Sequence, residues 1–278
     1  MLNIFKADIY RITRGKALLI TLAVILAMNL LMVISLHVIQ SGTMDPVAIT
    51  IGPEMEIEGL EDWETFVEEM PPMTGINVIA FLTQSMENFL FFLLPVIVVV
   101  AGAIFTHSTV KNDVSFGIAR TKLYMSKLLL SIIIGALFLV FYMGTGMIIA
   151  TIIGGFGGPA PAGHWANLTQ VLGAQFVLIT AMVCIGMFFA FTTKRTAAVN
   201  AAFIAFILVP ALIITILSAA SSSFERLFDF DLTSQIMRLA DLYYMETYEI
   251  LRALGVGVFW VLATTLGGIA LFRRAEIK

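Results

Sequence analysis

The chain has 278 residues, of which 59% are hydrophobic and 13% charged, and its mean hydropathy is +0.97. That composition excludes an ordinary soluble domain and fits a multi-span helical membrane protein. One cysteine, Cys184 in an apolar run, excludes a disulfide framework and a cysteine-based zinc site, and a net charge of −3 averages two oppositely charged faces, which gives no ground for a nucleic-acid partner.

Residues 1–15 read as a short amphipathic helix. Leu2, Phe5, Ile9 and Ile12 share one face, with Asn3, Lys6, Arg11 and Arg14 on the other. Such a helix lies in a membrane interface with its basic side toward anionic headgroups; the plainer reading is a positive flank for the first span. Span 1 runs from about Ala17 to Val38, enough to cross the hydrocarbon at about 1.5 Å per residue. It is too long for the apolar region of a cleavable signal peptide and is expected to be retained. Residues 40–87 carry ten acids and no Lys or Arg. They are expected outside, as a solvated cap or as a collector of cationic cargo, with a short surface helix from Asp62 to Met70.

Span 2 is expected from about Asn88 to Thr106, with Pro95 as a candidate gating kink. His107 to Lys127 is a polar island with Lys111, Arg120, Lys122 and Lys127 against one acid, Asp113, yet it also holds Val114, Phe116, Ile118, Leu123 and Tyr124. Either it docks a soluble partner or it is a basic tether that fixes orientation. Asn112-Asp113 suits a turn, and Gly117 permits a break or a close backbone approach. Span 3 covers about Leu128 to Ile153, with Gly135, Gly144 and Gly146 as small packing surfaces. The Gly-rich turn Gly154–Gly163 lacks the ending of a phosphate-binding loop. Span 4 follows from about Leu168 to Thr192, and Lys194-Arg195 is a tight turn. Span 5 runs from about Thr196 to Ala220 through Pro210, a second candidate kink. Residues 221–249 suit two short helices dipping toward the membrane, and span 6 runs from about Ile250 to Phe272.

Charge sets the orientation. Thirteen Lys/Arg fall in the inner segments and three, Arg226, Arg238 and Arg252, in the outer ones; of nineteen acids only Asp8, Asp113 and Glu276 are inner. The positive-inside rule therefore puts both termini in the cytoplasm, as an even number of spans requires. His37, His107 and His164 form no zinc-protease pattern, no phosphate-binding motif or serine nucleophile motif occurs, and the chain reads as no enzyme and as binding no cofactor or metal. No Asp, Glu, Lys or Arg falls in the centre of a span, so energy is expected from a soluble partner rather than a coupled ion. Asn29 and Asn200 are candidates for interhelical hydrogen bonds or for contacts along a pathway.

The chain resembles, over its whole length, the permease subunit of a bacterial ABC-2-type transporter, of the small six-span kind found in Gram-positive bacteria. The resemblance is carried by Phe5-Lys-Ala-Asp-Ile-Tyr-Arg11 and by Lys111, Asn112, Gly117, Ile118, Ala119, Arg120, Thr121, Tyr124, Ser126 and Lys127, placed between spans 2 and 3. One departure is that many relatives carry an acid just before this loop, where this chain has Phe105-Thr-His-Ser.

The resemblance implies an all-α membrane protein of ABC-2, type V exporter-like architecture in the bacterial cytoplasmic membrane. It implies an interface helix with Phe5, Lys6, Asp8, Arg11 and Arg14, and coupling to an ATPase through Lys111, Asn112, Asp113, Phe116, Gly117, Arg120, Thr121, Tyr124 and Lys127. The partners implied are a soluble ABC ATPase that carries ATP and Mg, a second permease identical or homologous to this one, the lipid bilayer, and a peptide or lipophilic cargo, usually exported. Competing classes are a membrane sensor or assembly factor of a peptide-resistance system, a secondary transporter without an ATPase, and a membrane-embedded enzyme.

Overall fold

A computed structural model describes residues 2–41, 71–102, 105, 117–158, 163–239 and 247–274, with side chains from residue 5 onward. Among the described residues every regular element is a helix: α1 (Leu2–Arg14), α2 (Lys16–Gln40), α3 (Asn77–Gln84), α4 (Met86–Ile97, continued by a π-helical turn over Val98–Gly102), α5 (Arg120–Gly154), α6 (His164–Thr193), α7 (Thr196–Ala220), a 3-10 segment (Ser222–Asp229), α8 (Leu232–Arg238) and α9 (Thr247–Arg274). The chain is an all-helical, multi-pass membrane protein. Helices α2, α5, α6, α7 and α9 are each long and apolar enough to cross a bilayer, and α3 with α4 makes a sixth crossing only if the pair, bent by 68°, counts as one broken span.

Helix α6 is the centre of the bundle. Of its most apolar stretch 61% is buried, against 17% for α7 and for α9, so the two later helices leave most of their surface uncovered by the described residues. Close approach to α6 depends on small residues: Gly257 of α9 sits against Val177 and Leu178, and Gly186 of α6 against Ile97 and Phe203. This is the packing that membrane helices use when lipid tails remove the hydrophobic drive for association.

The boundaries depart from expectation at two places. Residues 77–84, expected within an outer loop, form α3, whose Val78, Ile79 and Leu82 are buried. Leu82 fills the space left by Gly146 of α5. The bend at Ser85 leaves the Thr83 carbonyl without its helical donor, and the Gln175 carboxamide of α6 donates to it at 2.9 Å inside the core. A break at this depth is tolerated because a side chain supplies the missing partner. The second departure is α5, which starts at Arg120, inside the stretch read as a loop reaching Lys127. At about 1.5 Å per residue its 35 residues reach roughly 50 Å, well beyond the ~30 Å hydrocarbon layer, so its first turns stand clear of the apolar core.

The glycine-rich turn after α5 has a packing role. Gly154 leaves no room for a Cβ against the Met73 carbonyl, and the amides of Gly75 and Ile76 donate to the carbonyls of Gly155 and Phe156 at 3.0 and 3.2 Å. Gln40 at the end of α2 bonds the same strap twice, donating to the Pro71 carbonyl at 2.8 Å and accepting from the Met73 amide at 2.9 Å. At this end of the molecule Asp229 takes both Arg238 and Arg252, the latter at 3.2 Å. Two of the three arginines on the acid-rich side thereby share one carboxylate. The short surface helix expected over residues 62–70 lies outside the described residues.

Helix α2 is joined to α5 by Asn29, which is buried and donates to the Tyr142 carbonyl at 2.8 Å and to Thr145 Oγ1 at 2.7 Å. Asn29→Ala removes both bonds and should lower the unfolding free energy by about 1 kcal/mol, read as an earlier transition in thermal or denaturant unfolding in detergent. Asn29→Asp, which also loses the donors, should cost at least as much.

Candidate functional site

Several of the residues singled out in the sequence meet at one junction at the basic end of the bundle. Arg120, Tyr124 and Lys127 follow one another at i, i+4 and i+7, so they lie on one stripe of the first two turns of α5. Each faces a different element.

Lys127 is 2% exposed and its ammonium pairs with the carboxylate of Asp8, itself 6% exposed, on α1. Arg11, one turn further along α1, stands 3.6 Å from the same carboxylate oxygen. A buried charge is tolerated only when paired, so the pair holds α1 against α5 in one register. Ile12 is buried beside it and Phe5 is half-buried, whereas Lys6 and Arg14 are exposed, with the Arg14 guanidinium 4.6 Å above the Tyr10 ring.

Tyr124 is fully buried. Its hydroxyl lies against Gly268 of α9, where any side chain would collide with it, and has no hydrogen-bond partner among the described residues. Its ring meets Phe191 of α6 edge-on at 4.8 Å, and Phe191 also meets Phe272 of α9 at 4.8 Å and Phe105 at 5.3 Å. Such edge-to-face contacts contribute roughly 0.5–1.5 kcal/mol each beyond simple burial. Arg120 reaches across to the end of α9 and donates to the carbonyls of Arg273 at 2.9 Å and Phe272 at 3.4 Å. A cation placed there satisfies carbonyls that the helix leaves open and opposes the negative end of its dipole.

The segment between α4 and α5 is therefore anchored at both ends in one aromatic node. It leaves from Phe105 and returns through Gly117, which is exposed with φ +81° and has no described residue against it, into Arg120 and Tyr124. Thr121 is half-exposed and Lys122 exposed on the first turn. Lys111, Asn112, Asp113 and Phe116 lie outside the described residues. Tyr124 and Lys127, grouped in the sequence with the docking residues, face the interior in this structure. Among the described residues, the accessible surface at this junction is left to Gly117, Thr121 and Lys122.

Pro95 lies within α4 and deprives the Phe91 carbonyl of its amide, and three residues on the backbone widens into the π-helical turn Val98–Gly102. Pro210 lies inside α7, which continues unbroken from Thr196 to Ala220. Asn200, on α7, has a buried carbonyl oxygen with no hydrogen-bond partner among the described residues. Glu87, counted with the outer loop, falls instead in the first turn of α4 at the 68° bend, and one of its carboxyl oxygens is buried without a hydrogen-bond partner among the described residues.

The Asp8–Lys127 pair escaped the sequence reading because its members stand on different elements. A signal was present: Asp8 is the sole acid before Asp45, and an isolated acid in a basic, apolar terminus needs a partner. No protein-family model matches the chain, and no curated protein matches it.

Removing one member of a buried pair strands the other at a cost of about 3–5 kcal/mol. In a Cys184→Ala background carrying Ile12→Cys, Lys127→Met leaves Asp8 with Arg11 alone and should raise maleimide labelling at position 12 by up to about 100-fold. Adding Asp8→Asn should restore much of the protection. Equal labelling of all three variants would show that the pair does not hold α1.

Proposed function

We propose that the chain is the membrane-spanning permease subunit of an ABC transporter, exporting an amphipathic peptide or lipophilic compound with ATP hydrolysed by a separate soluble subunit. It works beside a second permease, with both termini and the basic end in the cytoplasm. The observation that carries this reading is the double anchoring of the segment between α4 and α5. A partner that moves this segment pulls on Phe105 and on Arg120–Tyr124 together, and both lead into Phe191 of the most buried helix. Through Lys127 the same motion reaches α1, and through Arg120 the end of α9. The resemblance of Lys111–Lys127 to the coupling segment of ABC-2 permeases supports the same assignment, as does the excess of Lys and Arg at this end. The π-helical turn after Pro95 lies directly before the anchored segment, where a change of helix register would transmit to α4.

Glu87 favours a second reading, a secondary transporter without an ATPase. A carboxyl oxygen buried at a bent helix pair is the kind of group that carries or balances an ion.

The test is purification of the tagged chain from its native host in mild detergent. The permease reading expects a soluble ATPase in stoichiometric amount, lost when Gly117→Trp and Lys122→Glu are combined, since both residues are exposed and the bundle remains folded. It also expects Glu87→Gln to leave ATPase stimulation in proteoliposomes within about two-fold. A folded chain that recovers no ATPase, and whose cargo uptake is abolished by Glu87→Gln, establishes the second reading.

A further inference from the structure

Helices α2 and α5 meet at Asn29 and part toward the basic end. Between them, roofed by α1, lies an apolar groove of about 510 Å³. Phe5, Ile12, Leu18, Ile133, Leu137 and Phe138 are among its walls, and Thr13 and Gly15 are its only non-hydrophobic lining residues. Its α5 wall runs from Leu130 to Phe141, which at about 1.5 Å per residue is roughly 17 Å, close to the ~15 Å depth of one leaflet's hydrocarbon. It closes at Phe141, next to the Tyr142 carbonyl that holds Asn29. At its other end Gly15 is flanked by Arg14 and Lys16, both exposed, and the acid nearest in sequence, Asp8, is buried and paired with Lys127. The residues on either side of the mouth in sequence are thus exposed cations, and neither helix carries an exposed acid among the described residues.

We infer that this groove binds an acyl chain of an anionic phospholipid from the leaflet at the basic end, with the headgroup phosphate between Arg14 and Lys16. Three features fit one occupant: an α5 wall as long as a leaflet is deep, a lining whose one hydroxyl, Thr13, already donates to the Tyr10 carbonyl, and cations beside the end where a lipid headgroup would stand. A basic residue near the surface favours an anionic lipid about five-fold, so Arg14 and Lys16 make the site selective as well as apolar. The bound chain fills the space beneath α1 and supports the helix whose register Asp8 and Lys127 fix. The inference does not rest on the permease reading.

The experiment is native mass spectrometry of the full chain released from nanodiscs containing equal phosphatidylglycerol and phosphatidylcholine. The wild type should retain phosphatidylglycerol in preference to phosphatidylcholine. Ile133→Trp and Leu137→Trp, at groove positions 46% and 62% exposed, should each remove the retained lipid of either class. Val140→Trp, 70% exposed on α5 but outside the groove, should leave it in place. Arg14→Gln with Lys16→Gln should keep a lipid bound but lower the preference at least five-fold. Circular dichroism and a monodisperse elution confirm that each variant is folded. Equal retention of both lipids by the wild type, or unchanged retention in folded Ile133→Trp and Leu137→Trp, overturns the inference. So does disulfide cross-linking of Ile133→Cys between two copies in a Cys184→Ala background, because the groove would then hold a second chain.

Discussion

An ammonium and a carboxylate closed against each other inside a helix bundle fix the two elements that carry them. Lys127 and Asp8 are both nearly inaccessible, and separating them costs each a charge partner where water has little access. The cost makes the contact specific rather than strong: two apolar residues there could slide, whereas the pair admits one register of α1 on α5. The stripe that carries Lys127 also carries Tyr124 and Arg120, so fixing that face of α5 fixes the aromatic contact with α6 and the cap on α9. The basic end is held by directional contacts, and the middle of the bundle by glycines and Asn29.

The opposite end is joined differently. Backbone amides of Gly75 and Ile76 meet carbonyls of the glycine-rich turn, Gln40 bonds both faces of the strap, and Asp229 gathers two arginines. These groups satisfy polar backbone that enters and leaves the apolar layer without a helix around it. Short loops with glycine suit this task because the two chains can come within hydrogen-bond distance of each other.

The long helices were legible because an unbroken apolar run of about twenty residues has few alternatives to crossing a bilayer. Span 5, read as Thr196 to Ala220, coincides with α7, and its interior Pro210 did not end the helix. What the sequence obscured were places where polarity and position disagree. Arg120 to Lys127 has the composition of a loop, but its i, i+4, i+7 spacing already continues the helix that follows. Residues 77–84 were hidden by the acidic stretch before them, and eight residues are too few to register as a span. Glu87 was counted with that stretch for the same reason. The partnership of Asp8 with Lys127 spans 119 positions, and no local pattern encodes a contact of that separation.

The central position of α6 also has a consequence in time. A chain emerges from the ribosome in order, and α6 is completed only after α2, α4 and α5 have been made. From Gly102 to Thr193 the ribosome needs on the order of 5–20 s at about 5–20 residues per second. Over that interval α4, joined later by α5, lacks the surface of α6 against which it packs. Asn29 can find Tyr142 and Thr145 before α6 exists, so α2 and α5 can wait as a clasped pair. Helix α4, with Pro95 and its widened turn, buries much of its surface against α6 and is accommodated by lipid or by the insertion machinery until α6 is finished.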